Sequence, residues 1–109
     1  MKLLELLEYM DRDESIILVS HVGDVRFKIF EGYVDTLKDS VLFNYKSDVE
    51  KVTTDFQMNY IKIEVDLHDL SDTQIDGIIQ NIKKYNFKYE SEAIFVHVSI
   101  DAMREEWGV

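Results

Sequence analysis

Apolar residues recur along the chain with two different spacings, and each spacing predicts one kind of element. Intervals of three and four residues place side chains on one face of a helix. One such stripe is formed by Leu3, Leu6, Leu7 and Met10. A second is formed by Ile75, Ile78, Ile79 and Ile82. The pattern therefore predicts a short N-terminal helix and one longer helix in the second half of the sequence.

The longer helix has recognisable boundaries. Ser71 is followed three residues later by Gln74, which is the spacing of a capping box, where two side chains bond to the first backbone amides of a helix. Asn86 can end the helix because asparagine tolerates a left-handed backbone. These signals predict a helix between Ser71 and Asn86.

Alternating apolar and polar residues, or short runs of β-branched residues, predict strands in the remaining segments. Gly23 supplies the turn of a hairpin between the first two strands. The predicted strands cover residues 16–19, 25–29, 41–54 with an interruption at 46–48, 61–65 and 94–100. A short helix over residues 102–107 follows. This order predicts an α+β fold: an antiparallel sheet of four to five strands, with the short helix and the longer helix packed on one face.

Length and composition fit a single domain over residues 1–109. The hydrophobic fraction of 46% supplies enough side chains for a core. The chain has no cysteine, which excludes disulfides and thiolate chemistry and suits a reducing cytoplasm. No segment approaches the roughly 18 apolar residues of a membrane span. We therefore expect a cytoplasmic protein.

The net charge of −10 narrows the classes of partner. Binding to free nucleic acid or to an anionic membrane depends mainly on lysine and arginine, so both are poor partners for this chain. A basic protein surface is a favourable one. Acidity that serves only solubility is the competing interpretation.

Motifs for catalysis are missing from the sequence. Its four glycines are too scattered for a phosphate-binding loop. Asp66, His68 and Asp69 offer oxygen and imidazole ligands to a divalent ion, although acids at this position also stabilise the start of the following helix. His21 and His97 are interpreted as ordinary turn and sheet histidines. We predict no enzymatic activity and no cofactor.

Candidate partner-binding residues are acids without an evident local role, together with aromatics that share one face of an extended segment. The acidic candidates are Glu5, Glu8, Asp13, Glu14, Asp35, Asp39, Glu105 and Glu106. The aromatic candidates are Tyr85 and Tyr89, which would point to the same side if residues 85–89 are extended. Ordinary core packing is the alternative role for these two rings.

Several short segments resemble small acidic proteins encoded by phages and prophages of Gram-positive bacteria. The segments are residues 2–11, 16–19, 23–24, 30–34, 42–45 and 52–53. The resemblance extends to about residue 65, and it carries no catalytic residue. What it implies is an inhibitor that occupies the surface of a host protein. An anti-CRISPR protein that mimics DNA, with carboxylates in the place of phosphates, is one such case.

The first hypothesis is accordingly a small phage-type inhibitor or adaptor that binds a basic, nucleic-acid-binding surface of a host protein in the host cytoplasm. The second is a self-associating structural or accessory protein, for which a homodimer is expected. The third is a small metal-dependent enzyme that uses Asp66, His68 and Asp69. The sequence leaves all three open.

Overall fold

The computed structural model describes residues 1–39, 47–55, 57, 59–86 and 99–109. The helices in these ranges are α1 (Leu3–Glu8), α2 (Val34–Lys38), α3 (Asp72–Asn86) and α4 (Ile100–Trp107). The strands are β1 (Ser15–Val22), β2 (Val25–Tyr33), β3 (Ser47–Asp55) and β4 (Tyr60–Leu67). The predicted α+β class is confirmed.

Two of the helices begin at serine caps. The Ser71 amide donates to Gln74 Oε1 at 2.9 Å, and the Gln74 amide donates to Ser71 Oγ at 3.2 Å, so the capping box before α3 is present. Before α4, Ser99 Oγ accepts the amide of Ala102 at 3.1 Å. Capping at Ser99 makes Ile100 the first residue of a helix, and its prediction as a strand residue is wrong. Residues 94–98 of that predicted strand lie outside the described residues.

The sheet is mixed, with the strand order β2-β1-β4-β3. The outer pairs β1–β2 and β3–β4 are antiparallel hairpins, whereas the central pair β1–β4 is parallel. The prediction of an antiparallel sheet is therefore wrong for the central pair. Alternating side chains look the same in both arrangements, because the two-residue period does not depend on the direction of the neighbouring strand.

β3 and α2 also differ from the pattern-based expectation. Residues 47 and 48 are part of the continuous strand β3, although Lys46, Ser47 and Asp48 were expected to interrupt it. The preceding part of that predicted strand, residues 41–46, lies outside the described residues. The helix α2 was not predicted, since five residues are too few to show a helical stripe.

The core lies against one face of the sheet. Alternate residues of the central strands, Ile16 and Leu18 in β1 and Ile63 and Val65 in β4, are fully or almost fully buried in a single cluster. The helices add to this same cluster the side chains of Leu3, Leu7, Val34, Leu37, Ile75, Ile78, Ile79, Ile82, Met103 and Trp107. Alternation places the residues between these strand positions on the opposite face, which we call the polar face.

Trp107 is the largest fully buried side chain among the described residues. Its ring packs edge-on against Phe27, with centroids 6.4 Å apart and an interplanar angle of 84°. Its indole Nε1 donates to the backbone oxygen of His21 at 3.2 Å. The Leu70 amide donates to the Trp107 carbonyl at 2.9 Å. These contacts fix α4 at the end of the sheet where β1 finishes.

Candidate functional site

The opposite end of the sheet, where β1 begins, carries a concentration of carboxylates. We call this surface the acidic end. It is formed by Glu8, Asp11, Asp13, Glu14, Asp35 and Asp39. Two backbone hydrogen bonds bring its parts together. The Val34 amide donates to the Glu14 carbonyl at 3.1 Å, and the Asp35 amide donates to the Arg12 carbonyl at 3.0 Å. The connection after α1 is thereby fixed against the start of α2.

Most of the charge at the acidic end is uncompensated. Residues 8–14 and 33–39 contain six acidic and two basic side chains, so 14 residues carry −4 of the net charge of −10. Arg12 binds the acidic end itself, with its Nε and Nη2 3.0 and 2.9 Å from Asp35 Oδ1. This pair is exposed and contributes little to stability, but it directs the guanidinium toward Asp35 of α2.

Two exposed tyrosines lie beside these carboxylates. Tyr9 directly follows α1 and is 86% exposed, and Tyr33 directly precedes α2 and is 55% exposed. Tyrosine is favoured at protein interfaces because its ring offers a large apolar area and its hydroxyl a hydrogen bond. Neither tyrosine is among the candidate partner-binding residues from the sequence, although Tyr9 stands outside the leucine stripe of α1.

The predicted partner-binding residues do not share one surface. Glu5 is exposed one turn before Glu8 on α1, where its Oε1 accepts the Lys2 amide at 3.4 Å. Glu105 and Glu106 are exposed on α4, which is fixed at the far end of β1. The two ends are separated by roughly 23 Å, the length of seven strand residues.

The aromatic candidates lie beyond what the structure describes. Tyr85 is in the last turn of α3, with its side chain outside the described part, and Tyr89 lies outside the described residues altogether. An extended segment over residues 85–89 would place both rings on one side. Its first two residues, Tyr85 and Asn86, are helical instead.

The three candidate metal ligands Asp66, His68 and Asp69 do not form one group. His68 Nε2 lies 3.7 Å from Asp48 Oδ2, and Asp69 occupies a left-handed turn position with φ of 54°. Asp66 instead lies close to His21 and Glu50. Among the described residues, His21, Glu50 and Asp66 are the one set of three potential ligands whose ligand atoms lie close to one another.

The interaction between Asp48 and Lys2 should make the stability of the fold depend on pH. A hydrogen bond from Lys2 Nζ at 2.8 Å lowers the pKa of the Asp48 carboxyl below its ordinary value. A carboxyl with a lowered pKa in the folded state contributes stability above its ordinary pKa, and this contribution is lost as the pH falls through the lowered value. Urea unfolding should therefore show that Asp48→Asn is less stable than the unaltered chain at neutral pH, by a small margin that disappears in acid.

Lys2→Met is the matched control for this dependence, because it removes the same hydrogen bond from the other side. It should reproduce the loss at neutral pH and its disappearance in acid. A difference that persists unchanged at low pH in both variants would show that Asp48 acts through something other than its charge.

No family model, curated protein or solved structure matches the chain. In the part of the chain that the structure describes, no helix combines the length and the apolar character needed to cross a bilayer.

Proposed function

We propose that this protein is a binding protein whose acidic end docks on a basic, nucleic-acid-binding surface of a partner protein. The observation that carries this proposal is the concentration of −4 charge on 14 residues beside two exposed tyrosines. The proposal includes no catalysis and no cofactor.

Charge and aromatic area have separate roles in such an interface. Exposed carboxylates raise the rate of encounter with a basic surface and exclude partners of like charge. Affinity comes mainly from a few buried contacts, for which Tyr9 and Tyr33 are suited. A surface that binds nucleic acid presents lysine and arginine to phosphates. Carboxylates of the acidic end that bind the same lysine and arginine side chains would compete with the nucleic acid. Binding of this protein would therefore inhibit the partner.

The identity of the partner is a more specific proposal. The resemblance to phage proteins favours a host protein, and an anti-CRISPR role is one form of it; both depend on the resemblance alone. Self-association, the second hypothesis, stays a prediction as well. The acidic end does not favour it, because two copies would bring like charges together.

A capture experiment with two charge-neutralised variants tests the proposal. The first variant, Asp13→Asn/Glu14→Gln/Asp39→Asn, removes charge at the acidic end but keeps the pair between Arg12 and Asp35. The second, Glu105→Gln/Glu106→Gln, removes two charges from α4 and is the control. Immobilised proteins are exposed to nuclease-treated bacterial lysate at low salt and then eluted with rising salt.

We expect the unaltered chain and the α4 variant to retain the same basic, nucleic-acid-binding protein, and the acidic-end variant to lose it. Elution should occur at moderate salt, because exposed charges are screened within about 10 Å at 0.1 M ionic strength. Tyr9→Ala should weaken retention without changing its dependence on salt. Equal retention by both charge variants, or capture of no basic protein, would refute the proposal.

A further inference from the structure

The polar face of the sheet holds a second group of side chains, independent of the acidic end. His21, Glu50 and Asp66 each offer one ligand atom, and these three atoms all lie within 4.8 Å of one another. The closest pair, His21 Nε2 and Glu50 Oε1, is 2.9 Å apart. We call these residues the His21 group.

The mixed topology of the sheet brings the group together. In the parallel pair, Val19 of β1 lies opposite Glu64 of β4, so two residues further on His21 reaches the level of Asp66. Side chains that follow the carboxyl ends of parallel strands meet at the same edge, where open sheets commonly bind ligands. If the central pair were antiparallel, His21 and Asp66 would lie at opposite ends of the strands.

β3 supplies the third member through an irregularity. Val49 pairs with Val65 and Lys51 pairs with Glu64, so Glu50 is an extra residue between two paired positions. Such bulges alter the direction of a side chain and occur often beside functional sites. Glu50 can reach His21 across the intervening strand β4 because a long side chain spans much of the roughly 10 Å between alternate strands.

The backbone beneath the group is held firmly, whereas its side chains are partly exposed. Ser20, next to His21, donates from Oγ to the Val65 carbonyl at 2.9 Å, which ties β1 to β4 beside the group. The His21 carbonyl accepts the hydrogen bond from Trp107. The group is therefore built on backbone that hydrogen bonds hold in place, as a binding site requires.

A pocket with excess negative charge adjoins the group. Its volume is about 490 Å³, and its lining includes His21 and Glu50. Carboxylates around the pocket and the group are Asp24, Glu50, Glu64 and Asp66, whereas the basic side chains are Arg26 and Lys51. Arg26 is already paired with Glu64, whose Oε1 lies 3.1 Å from its Nη1. A divalent cation would balance the remaining excess.

We infer that His21 Nε2, Glu50 and Asp66 bind one divalent transition-metal ion, with Zn²⁺ as the best match. An imidazole with two carboxylates suits zinc, whereas magnesium and calcium prefer oxygen ligands alone. Tetrahedral ligands at about 2.1 Å from zinc lie about 3.4 Å from one another. The three ligand atoms already lie within 4.8 Å of one another, so no two of them need to shift relative to each other by more than about 1.4 Å, which small side-chain torsions provide.

Zinc titration by calorimetry on single variants of the full chain tests this inference. The ligand variants are His21→Gln, Glu50→Gln and Asp66→Asn. His68→Gln is the matched control, because His68 lies beside Asp48 at the same end of the sheet and is one of the candidate ligands named from the sequence. Circular dichroism confirms that each variant is folded, and Mg²⁺ replaces Zn²⁺ in a parallel titration.

We expect saturable binding of one Zn²⁺ per chain, weakened at least about tenfold by each ligand variant and unchanged by His68→Gln. Mg²⁺ should bind more weakly than Zn²⁺. Failure of the chain to bind Zn²⁺ saturably overturns the inference. So does zinc binding that survives His21→Gln, binding that is lost in His68→Gln, or equal affinity for Zn²⁺ and Mg²⁺. None of these outcomes depends on the partner proposed for the acidic end.

Discussion

Replacing Trp107 with alanine is expected to lower the free energy of unfolding by about 3–5 kcal/mol. The side chain is fully buried, and its removal leaves a cavity against Phe27. It also removes the indole donor from the His21 carbonyl. The total stability of a domain this size is about 5–15 kcal/mol, so the expected loss is a large fraction of it. Equilibrium urea unfolding measures the loss.

Two further substitutions separate the causes. Trp107→Phe keeps a large ring in the core but removes the hydrogen bond, so it should be less destabilising than Trp107→Ala. Glu106→Ala changes the preceding exposed residue of the same helix and should shift stability by less than about 0.5 kcal/mol. If Trp107→Ala were no more destabilising than Glu106→Ala, α4 would not be part of the folded core.

Ile78→Ala is expected to lower the free energy of unfolding by about 2–5 kcal/mol. This substitution tests a different part of the same core. Ile78 lies in the middle of α3 and is completely buried. Alanine has a higher helix propensity than isoleucine, so the helix itself gains slightly. The whole loss must therefore come from the contacts of the side chain with its neighbours, and urea unfolding should show it without a change in helical content.

Gln80→Ala is the matched control on this helix, because Gln80 is exposed two residues further on. It should leave stability unchanged or raise it by a few tenths of a kcal/mol. Equal effects of Ile78→Ala and Gln80→Ala would contradict the burial of this face of α3.

The helices were largely predictable because their signals are local. The isoleucine stripe of α3 and its capping box involve residues three or four apart, and both are present in the structure. The sequence also predicts a short helix over residues 102–107, within α4, but nothing in its pattern shows what this helix packs against. Its burial depends on contacts with β1 and Leu70, which are distant in sequence and leave no local pattern.

Strand direction was not predictable, and the candidate sites depend on it. The hairpin turn at Gly23 has φ of 59°, as the sequence indicated, but no short-range signal shows that β4 pairs with β1 in parallel. For this reason Asp66 was grouped with its sequence neighbours His68 and Asp69, while its spatial neighbours are His21 and Glu50. The acidic candidates are acids without a local structural role, and the position of α4 separates Glu105 and Glu106 from the others.

The same parallel pairing has a kinetic consequence. Each hairpin closes through neighbouring residues, but the central pair joins residues 45 positions apart, such as Ile16 and Ile61. Loops of this length close at a substantial cost in entropy, so the meeting of the two hairpins should limit the folding rate. Trp107 reaches β1 across 86 positions and should dock afterwards. We therefore expect stopped-flow measurements on Trp107→Ala to show faster unfolding and an almost unchanged rate of folding.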